Sequence, residues 1–294
     1  MTEPFRVAVR RGEILESVHE VHAVAVRDGS VLASAGDPTL TTSLRSSAKP
    51  FQALPLARAY EDLDEEQLAI AAASHFGTPR HVEVVRSLLA ATGGREEELE
   101  CGLQAGRPPE PIFHNCSGKH AAMLAVCRAH GWPVDGYRRP DHPLQRCLRD
   151  EVAAAAELEP DEVATGADGC GVVAFAIPLE RAAHAFARFE ELDGGARIAA
   201  AMRAHPELVG GESATDTLLM QHHPGTIAKG GAEGLFCAGG NATGLAVKVA
   251  DGNSRALRPA VAALAAQLGR PLPGFEQVTI PNAHEAAAAV VSLV

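Results

Sequence analysis

The sequence predicts a mixed α/β fold of the α+β kind, with a mainly antiparallel sheet built from both chain ends, flanked by helices and divided by a helical insertion. Val-rich runs typical of strands occupy residues 5–35 and return after residue 225, whereas apolar residues at helical spacing dominate about 45–224. A GxGxxG turn after a strand would favour a doubly wound fold, and the sequence has none. We therefore expect a single domain over residues 1–294, with its sheet layer in about 1–44 and 225–294.

The N-terminal strands are predicted in FRVAVRRG and VHEVHAVAVRDGSVLASAG, with Asp28-Gly29 as a hairpin turn. Helices are predicted where Gly or Pro bounds segments of helical periodicity. These segments are SSAKPFQALPLARAY, DEEQLAIAAAS, RHVEVVRSLLAATG, SGKHAAMLAVCRAHGW, HPLQRCLRDEVAAAAEL, LERAAHAFARFEEL, GGARIAAAMRAH and RALRPAVAALAAQLG. Residues 163–178 are predicted as a Gly-rich turn and a short strand. The tail is predicted as strands in GTIAKGGAEGLFCAGG and TGLAVKVADG, with an edge strand at the C-terminus.

Composition excludes several classes of function. The 26 Lys and Arg against 37 Asp and Glu give a net charge of −11, which argues against nucleic-acid binding. No apolar stretch approaches the ~20 residues that a membrane span needs. The N-terminal residues lack the apolar core of an export signal, and the six cysteines have irregular spacing. The sequence therefore predicts a cytoplasmic protein without a disulfide framework.

The first candidate for chemistry is the SxxK pattern of Ser46 and Lys49. Residues three apart share one face of a helix, so the lysine amine would reach the serine hydroxyl. A neutral lysine can take the proton of a serine nucleophile, and burial or a second cation lowers its pKa enough to do so. Ser46 also stands where we expect a helix to begin, which suits an N-cap. The pattern alone is equally typical of an ordinary capped helix.

The second candidate is Lys229-Gly230-Gly231 on a late strand. Two glycines weaken a strand, and they make sense where another group lies close against the backbone. An SxxK after N-terminal strands and a Lys-Gly-Gly on a C-terminal strand resemble the layout of serine penicillin-recognising hydrolases, and so imply a serine β-lactamase-like fold. Lys229 would then be the second cation that keeps Lys49 neutral.

Two cysteine segments form a third candidate. Cys116 precedes a predicted helix, where the helix dipole favours a thiolate, and Cys170 lies between two glycines. Two thiolates with a nearby nitrogen donor suit zinc, although two buried structural cysteines would give the same pattern. Ser74-His75 at a predicted helix end either projects into a cleft or only marks the helix stop at Gly77.

Six segments in order resemble one family, the class 3 (rhizobial-type, thermolabile) bacterial L-asparaginases of the asparaginase II family. They are RSSAKPFQALPL (45–56), SHFGTPRHVEVV (74–85), HNCSGKHAAML (114–124), GADGCGVVAFAIPL (166–179), MRAHPELVGG (202–211) and IAKGGAEGLFCAG (227–239). The resemblance implies a cytoplasmic amidohydrolase that converts L-asparagine to L-aspartate and ammonia. It also implies a homodimer and a fold like that of serine β-lactamases and serine-dependent glutaminases.

The resemblance assigns roles to matching positions. Ser46 would be the nucleophile, Lys49 its base, Ser74 a second hydroxyl that relays or orients, and Lys229 the residue completing the polar cluster. A zinc ion in a supporting role would be held by Cys116, Lys119 and Cys170.

Three further residues are candidates for substrate binding. Asp168 would bind the ligand lysine or the substrate ammonium. Arg45, beside the nucleophile, is our candidate for the substrate carboxylate. By analogy with penicillin-recognising enzymes, the backbone N–H groups of Ser46 and Ala232 would bind the oxyanion.

Three alternatives remain at this stage. A β-lactamase or DD-peptidase shares SxxK but gives no reason for the two cysteines. A glutaminase acts on a substrate one methylene longer, which a pocket resolves by only ~1–3 kcal/mol. A non-catalytic zinc or interaction protein does not explain SxxK together with Lys-Gly-Gly.

Overall fold

The structure is a computed structural model that describes residues 2–294. Its main sheet contains eight strands, all paired antiparallel. They are β1 (Phe5–Arg11), β2 (Ile14–Arg27), β3 (Ser30–Ala35), β7 (Ile227–Gly231), β8 (Leu235–Gly240), β9 (Thr243–Val249), β10 (Gln277–Pro281) and β11 (Ala287–Leu293). The order across the sheet is β10-β11-β1-β2-β9-β8-β7, with β3 pairing with β2. The predicted α/β fold with a sheet from both chain ends is confirmed.

The hairpins follow from local sequence. Asp28 and Gly29 have φ of 48° and 73°, the left-handed conformation that a tight hairpin requires. The tail differs from the prediction in two places. The segment predicted as one strand over GTIAKGGAEGLFCAGG is the β7–β8 hairpin. The last strand, β11, lies between β10 and β1, so the edge strand is β10.

A second, three-stranded sheet positions the SxxK segment. It consists of β4 (Thr41–Ser43), β5 (Ala164–Ala167) and β6 (Val173–Pro178), in the order β4-β6-β5. Leu44, directly after β4, donates its N–H to the carbonyl of Phe175 at 2.8 Å. This bond extends the pairing of β4 with β6 by one residue. Arg45, the next residue, therefore lies beside Asp168, which is in the β5–β6 connection.

Within residues 2–294, eleven α-helices pack around these sheets. They are α1 (Lys49–Gln52), α2 (Leu54–Ala59), α3 (Glu65–Ala71), α4 (Pro79–Ala91), α5 (Ser117–Ala129), α6 (Pro143–Ala156), α7 (Leu179–Ala187), α8 (Gly195–Ala204), α9 (Pro206–Gly210), α10 (Thr215–His222) and α11 (Leu257–Gln267). The sequence did not predict α9 or α10. No helix within residues 2–294 is long and apolar enough to cross a membrane.

The helix predicted over residues 46–60 is broken into three pieces. Arg45–Ala48 form a 3-10 turn, and α1 and α2 follow, each with a proline in its first turn. The N-cap of α1 is Ala48, which supplies no side-chain hydrogen bond, so the expectation that Ser46 is an N-cap is wrong. Arg45 has φ of 46°, which ends the regular backbone of β4 abruptly and starts the tight turn.

Close helix–sheet packing fixes the sheet beneath the helical region. A Cβ at Gly244 of β9 would lie 1.9 Å from the carbonyl oxygen of Ala183 in α7, so only glycine fits there. Phe51 of α1 packs edge-on against Phe186 and Phe189, each at 5.2 Å between ring centroids. Burying side chains of this size contributes roughly 1.5–3 kcal/mol each, which holds α1 and its lysine in place.

Candidate active site

An open cleft of about 380 Å³ lies where the 3-10 turn, the end of β7, and the loops after α3 and before α5 meet. Four of the ten candidates from the sequence line it: Ser46, Ser74, Lys229 and Ala232. Asn115 and Asp216, which were not candidates, line it as well. Phe76, with its side chain 60% exposed, stands at the same cleft.

The two serines of the SxxK segment have different environments. Ser46 is half-buried and lines the cleft, and within residues 2–294 its hydroxyl has no hydrogen-bond partner. Ser47 is fully buried, and its hydroxyl donates to the carbonyl of Lys229 at 2.8 Å. Ser46 is therefore the serine whose oxygen is open to a substrate, whereas Ser47 joins the 3-10 turn to β7.

Lys49 lies fully buried behind Ser74. Its Nζ donates to the hydroxyl of Ser74 at 2.9 Å and to the carbonyls of Ala73 at 2.5 Å and Asn115 at 3.4 Å. The expected contact between Lys49 and Ser46 is absent from the hydrogen bonds of residues 2–294. Burial, together with the nearby cations Lys119 and Lys229, lowers the pKa of Lys49 to about 8 against the opposing effect of Cys116.

The loop that carries Ser74 is held at both sides. Ser74 donates its N–H to the carbonyl of Val209 at 2.8 Å, and His75 donates its N–H to the carbonyl of Asn115 at 3.2 Å. After the loop, Thr78 caps α4 and Pro79 occupies its first turn. These bonds fix Ser74 between Lys49 and the cleft.

His75 does not project into the cleft. It is fully buried, and its Nδ1 accepts the N–H of Gly77 at 3.0 Å, so its proton lies on Nε2, which faces the hydroxyl of Ser117 at 2.8 Å. Burial lowers its pKa well below the ordinary value. His75 is a neutral structural residue, and of the Ser74-His75 pair only the serine reaches the cleft.

The two glycines after Lys229 are explained by close approach. A Cβ at Gly231 would lie 2.8 Å from the carbonyl oxygen of Leu44, and one at Gly230 would lie 3.0 Å from Asp216 Oδ1. This confirms that another group lies against the backbone of the Lys-Gly-Gly segment. Ala232 follows at the exposed hairpin turn, and so lies beside the cleft on the side of Ser46.

Asp216 is a site residue that the sequence analysis missed. Its Oδ2 accepts from Lys229 Nζ at 3.1 Å and from the Gly230 N–H at 2.9 Å. Lys229 Nζ also donates to the Gly230 carbonyl at 2.9 Å. A single carboxylate on an unpredicted helix gives no spacing pattern. The only available signal was the glycine at 230, which implied an unidentified close neighbour.

The candidate metal ligands form a buried cluster next to the cleft. Lys119 Nζ donates to Cys170 Sγ at 3.2 Å and lies 3.5 Å from Asp168 Oδ2. Cys116 Sγ lies 3.0 Å from the side-chain oxygen of Asn115 and is hydrogen-bonded to Cys170. The structure therefore brings Cys170 together with Cys116 and Lys119, although Lys119 stands 51 positions before Cys170 in the chain.

The cysteines and Lys119 share their protons. The hydrogen bond from Cys170, together with Lys49 and Lys119, lowers the pKa of Cys116 well below its ordinary value, although burial opposes this. That same bond and burial raise the pKa of Cys170. Burial disfavours a charged Lys119, but Cys116, Cys170 and Asp168 together raise its pKa.

Arg45 and Asp168 belong to this cluster rather than to the lining of the cleft. Arg45 Nε donates to Asp168 Oδ1 at 2.8 Å, and the arginine side chain remains 28% exposed. Asp168 thus connects Arg45, beside the candidate nucleophile, to Lys119. Lys119 and Arg45 lower the pKa of Asp168 against the effect of burial.

The donor set of this cluster fits zinc. Two sulfurs and one amine contact one another in a buried position, and a zinc ion would replace the protons they now share. Of the three candidate ligands, only Cys116 and Cys170 are of the kinds that commonly bind metals. Across residues 2–294, no group of three or more His, Cys, Asp and Glu side chains forms a metal site.

The sequence profile of the family described as L-asparaginase II matches residues 7–290. No curated protein matches the chain.

Three solved structures resemble the chain at low identity. A protein from Bacteroides dorei described as a β-lactamase is 12% identical, covering 84% of this chain and 93% of its own, with a TM-score of 0.45. A β-lactamase from Mycobacterium bovis is 19% identical, covering 79% and 88%, with a TM-score of 0.34. A Bacillus subtilis structure described as a glutaminase is 14% identical, covering 86% and 85%, with a TM-score of 0.38. Likenesses with such low TM-scores assign no activity or residue role to this chain.

Proposed function

The chain belongs to the L-asparaginase II family, whose members are amidohydrolases, and we propose that it hydrolyses L-asparagine to L-aspartate and ammonia with Ser46 as nucleophile. One observation carries the mechanism. Around one cleft lie an unpartnered serine hydroxyl, a second serine bonded to a buried lysine, and a second buried lysine on the facing strand. This set supplies a nucleophile and a base without any bound group.

In the first half-reaction, Ser46 Oγ attacks the side-chain amide carbon. The serine proton passes through Ser74 to Lys49, because the hydrogen bonds described for residues 2–294 join Lys49 to Ser74 and not to Ser46. Lys49 returns the proton to the leaving nitrogen, and the C–N bond breaks to release ammonia. Water then attacks the ester on Ser46, loses its proton by the same route, and releases L-aspartate and the serine.

The oxyanion requires two N–H donors. We assign them to the backbone of Ser46 and of Ala232, which border the same cleft. The contact between the end of β7 and the 3-10 turn supports this assignment, since it leaves room for no side chain at Gly231. Losing one such donor typically raises the barrier by ~3 kcal/mol.

For substrate binding we retain Arg45 as the partner of the substrate carboxylate and Asp168 as the partner of its ammonium. Their mutual ion pair beside the candidate nucleophile supports this, because a zwitterion can insert its opposite charges between them. The partial exposure of Arg45 allows that exchange.

We propose that Cys116, Lys119 and Cys170 hold one zinc ion in a supporting role. When bound, zinc supplies positive charge beside the cleft. Because the serines and lysines already account for nucleophile and base, we expect the ion to order the wall formed by Asn115 and to tune substrate affinity.

We also place the chain in the class 3, rhizobial-type, thermolabile group, as a cytoplasmic homodimer. The six sequence segments quoted above support the group. Light scattering of the purified protein tests the dimer: a monomer mass at micromolar concentration contradicts it. Cell fractionation with an antibody against the native chain tests the cytoplasmic location.

Ammonia release from L-asparagine, L-glutamine and a chromogenic β-lactam, assayed side by side, tests the proposed activity. We expect kcat/KM to be highest for asparagine and the β-lactam to be stable. Faster turnover of glutamine would favour the glutaminase alternative, and β-lactam hydrolysis would favour the penicillin-recognising alternative. The Ser46→Ala variant is the control for contaminating host enzymes.

A further inference from the structure

We propose that Asp216 is a positioning residue of the active site, which holds the Lys229 ammonium and the backbone of the Lys229-Gly230-Gly231 segment in place for the reaction. This inference rests on the proposed function. It assigns a role to a carboxylate on α10 that the six family-like segments do not include.

One oxygen of Asp216 binds two consecutive residues. Oδ2 accepts from the side chain of Lys229 at 3.1 Å and from the main chain of Gly230 at 2.9 Å. Both side chains are nearly inaccessible, with Lys229 1% and Asp216 9% exposed, which shields the ion pair from water. Charge-assisted hydrogen bonds are about twice as strong as those between neutral groups.

The position of Asp216 is itself fixed. The next residue, Thr217, is fully buried and donates its hydroxyl to the carbonyl of Pro206 at 2.8 Å, which joins α10 to α9. Gly230 allows the carboxylate to approach, since a Cβ there would lie 3.0 Å from Oδ1. The absence of a side chain at Gly230 therefore leaves a space beside the strand, and the Asp216 carboxylate occupies it.

The strand segment is held from two sides. Asp216 binds it from α10, and Ser47 binds the carbonyl of Lys229 at 2.8 Å from the 3-10 turn. The groups assigned to chemistry stand close to these contacts: Ser46 directly precedes Ser47, and Ala232 lies two residues after Gly230. A shift of the segment would therefore move the oxyanion N–H of Ala232 and the charge of Lys229 together, while the rest of the cleft stays in place.

The charge balance points the same way. Among the cleft-lining residues, Asp216 is the carboxylate and Lys229 the cation. Neutralising Asp216 would leave a buried ammonium with a carbonyl as its remaining acceptor. Lys229 would then move away from the segment, which removes the second cation from the neighbourhood of Lys49.

The test compares three variants with the wild type. Asp216→Asn keeps the shape and an acceptor for Gly230, but removes the charge. Gly230→Ala keeps the charges but pushes the carboxylate away. Glu151→Gln is the matched control, since Glu151 pairs with Arg58 on α2, away from the cleft. We expect Asp216→Asn and Gly230→Ala to lower kcat by about 100-fold with KM changed less than about threefold, and the control to match wild type.

A second readout is independent of activity. The chain has four lysines, at 49, 119, 229 and 248, so ¹³Cε-lysine labelling gives four assignable signals. We expect Asp216→Asn to move the Lys229 signal, assigned with Lys229→Met, and Glu151→Gln to leave it in place. An unmoved Lys229 signal, or a change in KM alone, overturns the inference. If the wild type does not hydrolyse asparagine, the proposed function fails instead. The kinetic comparison of the variants is then made with L-glutamine or the chromogenic β-lactam, whichever the wild type hydrolyses.

Discussion

The amine of Lys49 donates a hydrogen bond to the hydroxyl of Ser74 at 2.9 Å, although these residues stand 25 positions apart in the chain. The sequence pattern had paired Lys49 with Ser46, three positions before it. Both serines line the cleft, but only Ser74 is hydrogen-bonded to Lys49 among the contacts described for residues 2–294. In the proposed mechanism, a proton leaving Ser46 therefore passes through Ser74.

Ser74→Ala should lower kcat for asparagine by roughly 10²–10⁴-fold, the usual contribution of a positioned proton-transfer group. KM should change little, because Ser74 is not assigned to either charged end of the substrate. Ser74→Thr keeps the hydroxyl and should retain part of the activity. Steady-state ammonia release by both variants checks this, and a Ser74→Ala enzyme with wild-type kcat would contradict the relay.

The pH profile should report Lys49. The pKa of Lys49 is lowered to about 8, and the neutral amine is the proposed base. Activity should therefore be low at acidic pH and rise as the pH increases through about 8. Removing the neighbouring cation with Lys229→Met raises the pKa of Lys49, and the Asp216 carboxylate left behind acts in the same direction. The residual activity of Lys229→Met should thus have its acidic limb at higher pH. An unchanged or lower limb would show that the lysines are not coupled.

Part of the cleft could be predicted because its motifs leave recognisable patterns over a few consecutive residues. Lys-Gly-Gly indicated a close neighbour, which the structure identifies as the Leu44–Ser47 turn and Asp216. Helical spacing identified most of the helices, and Val-rich runs identified the sheet.

The missed features depend on tertiary contacts. Ser46 lies in a short 3-10 turn and Lys49 begins a separate short helix, because Arg45 has a positive φ and Pro50 follows. Periodicity does not encode either effect. Asp216 lies in an eight-residue helix of weak pattern. The pairing of Arg45 with Asp168 depends on the small sheet that joins β4 to β6.

Ser47→Ala should mainly destabilise the fold. Removing this hydroxyl leaves the buried carbonyl of Lys229 without its donor, which costs about 1–3 kcal/mol of unfolding free energy. Urea unfolding followed by circular dichroism measures the loss. Ser43→Ala, in the partly buried strand before the turn, is a comparison variant that should change stability less.

Protein purified without added metal should contain about one zinc ion per chain. Cys170→Ser, or removal of zinc by a chelator, should raise KM for asparagine more than it lowers kcat, because the ion orders the wall of the cleft and takes no part in bond cleavage. Elemental analysis and steady-state kinetics check the two statements. Zinc well below one per chain removes the site, and a collapse of kcat at unchanged KM would give the metal a direct part in catalysis.

The most direct test of the account is ammonia release from L-asparagine by Ser46→Ala and Ser47→Ala, measured against wild type at a temperature where circular dichroism shows all three folded. Because Ser46 carries the only free hydroxyl of this pair in the cleft, Ser46→Ala should lose several powers of ten in kcat, and Ser47→Ala should retain measurable activity. An active Ser46→Ala beside an inactive Ser47→Ala would contradict the assignment of the nucleophile.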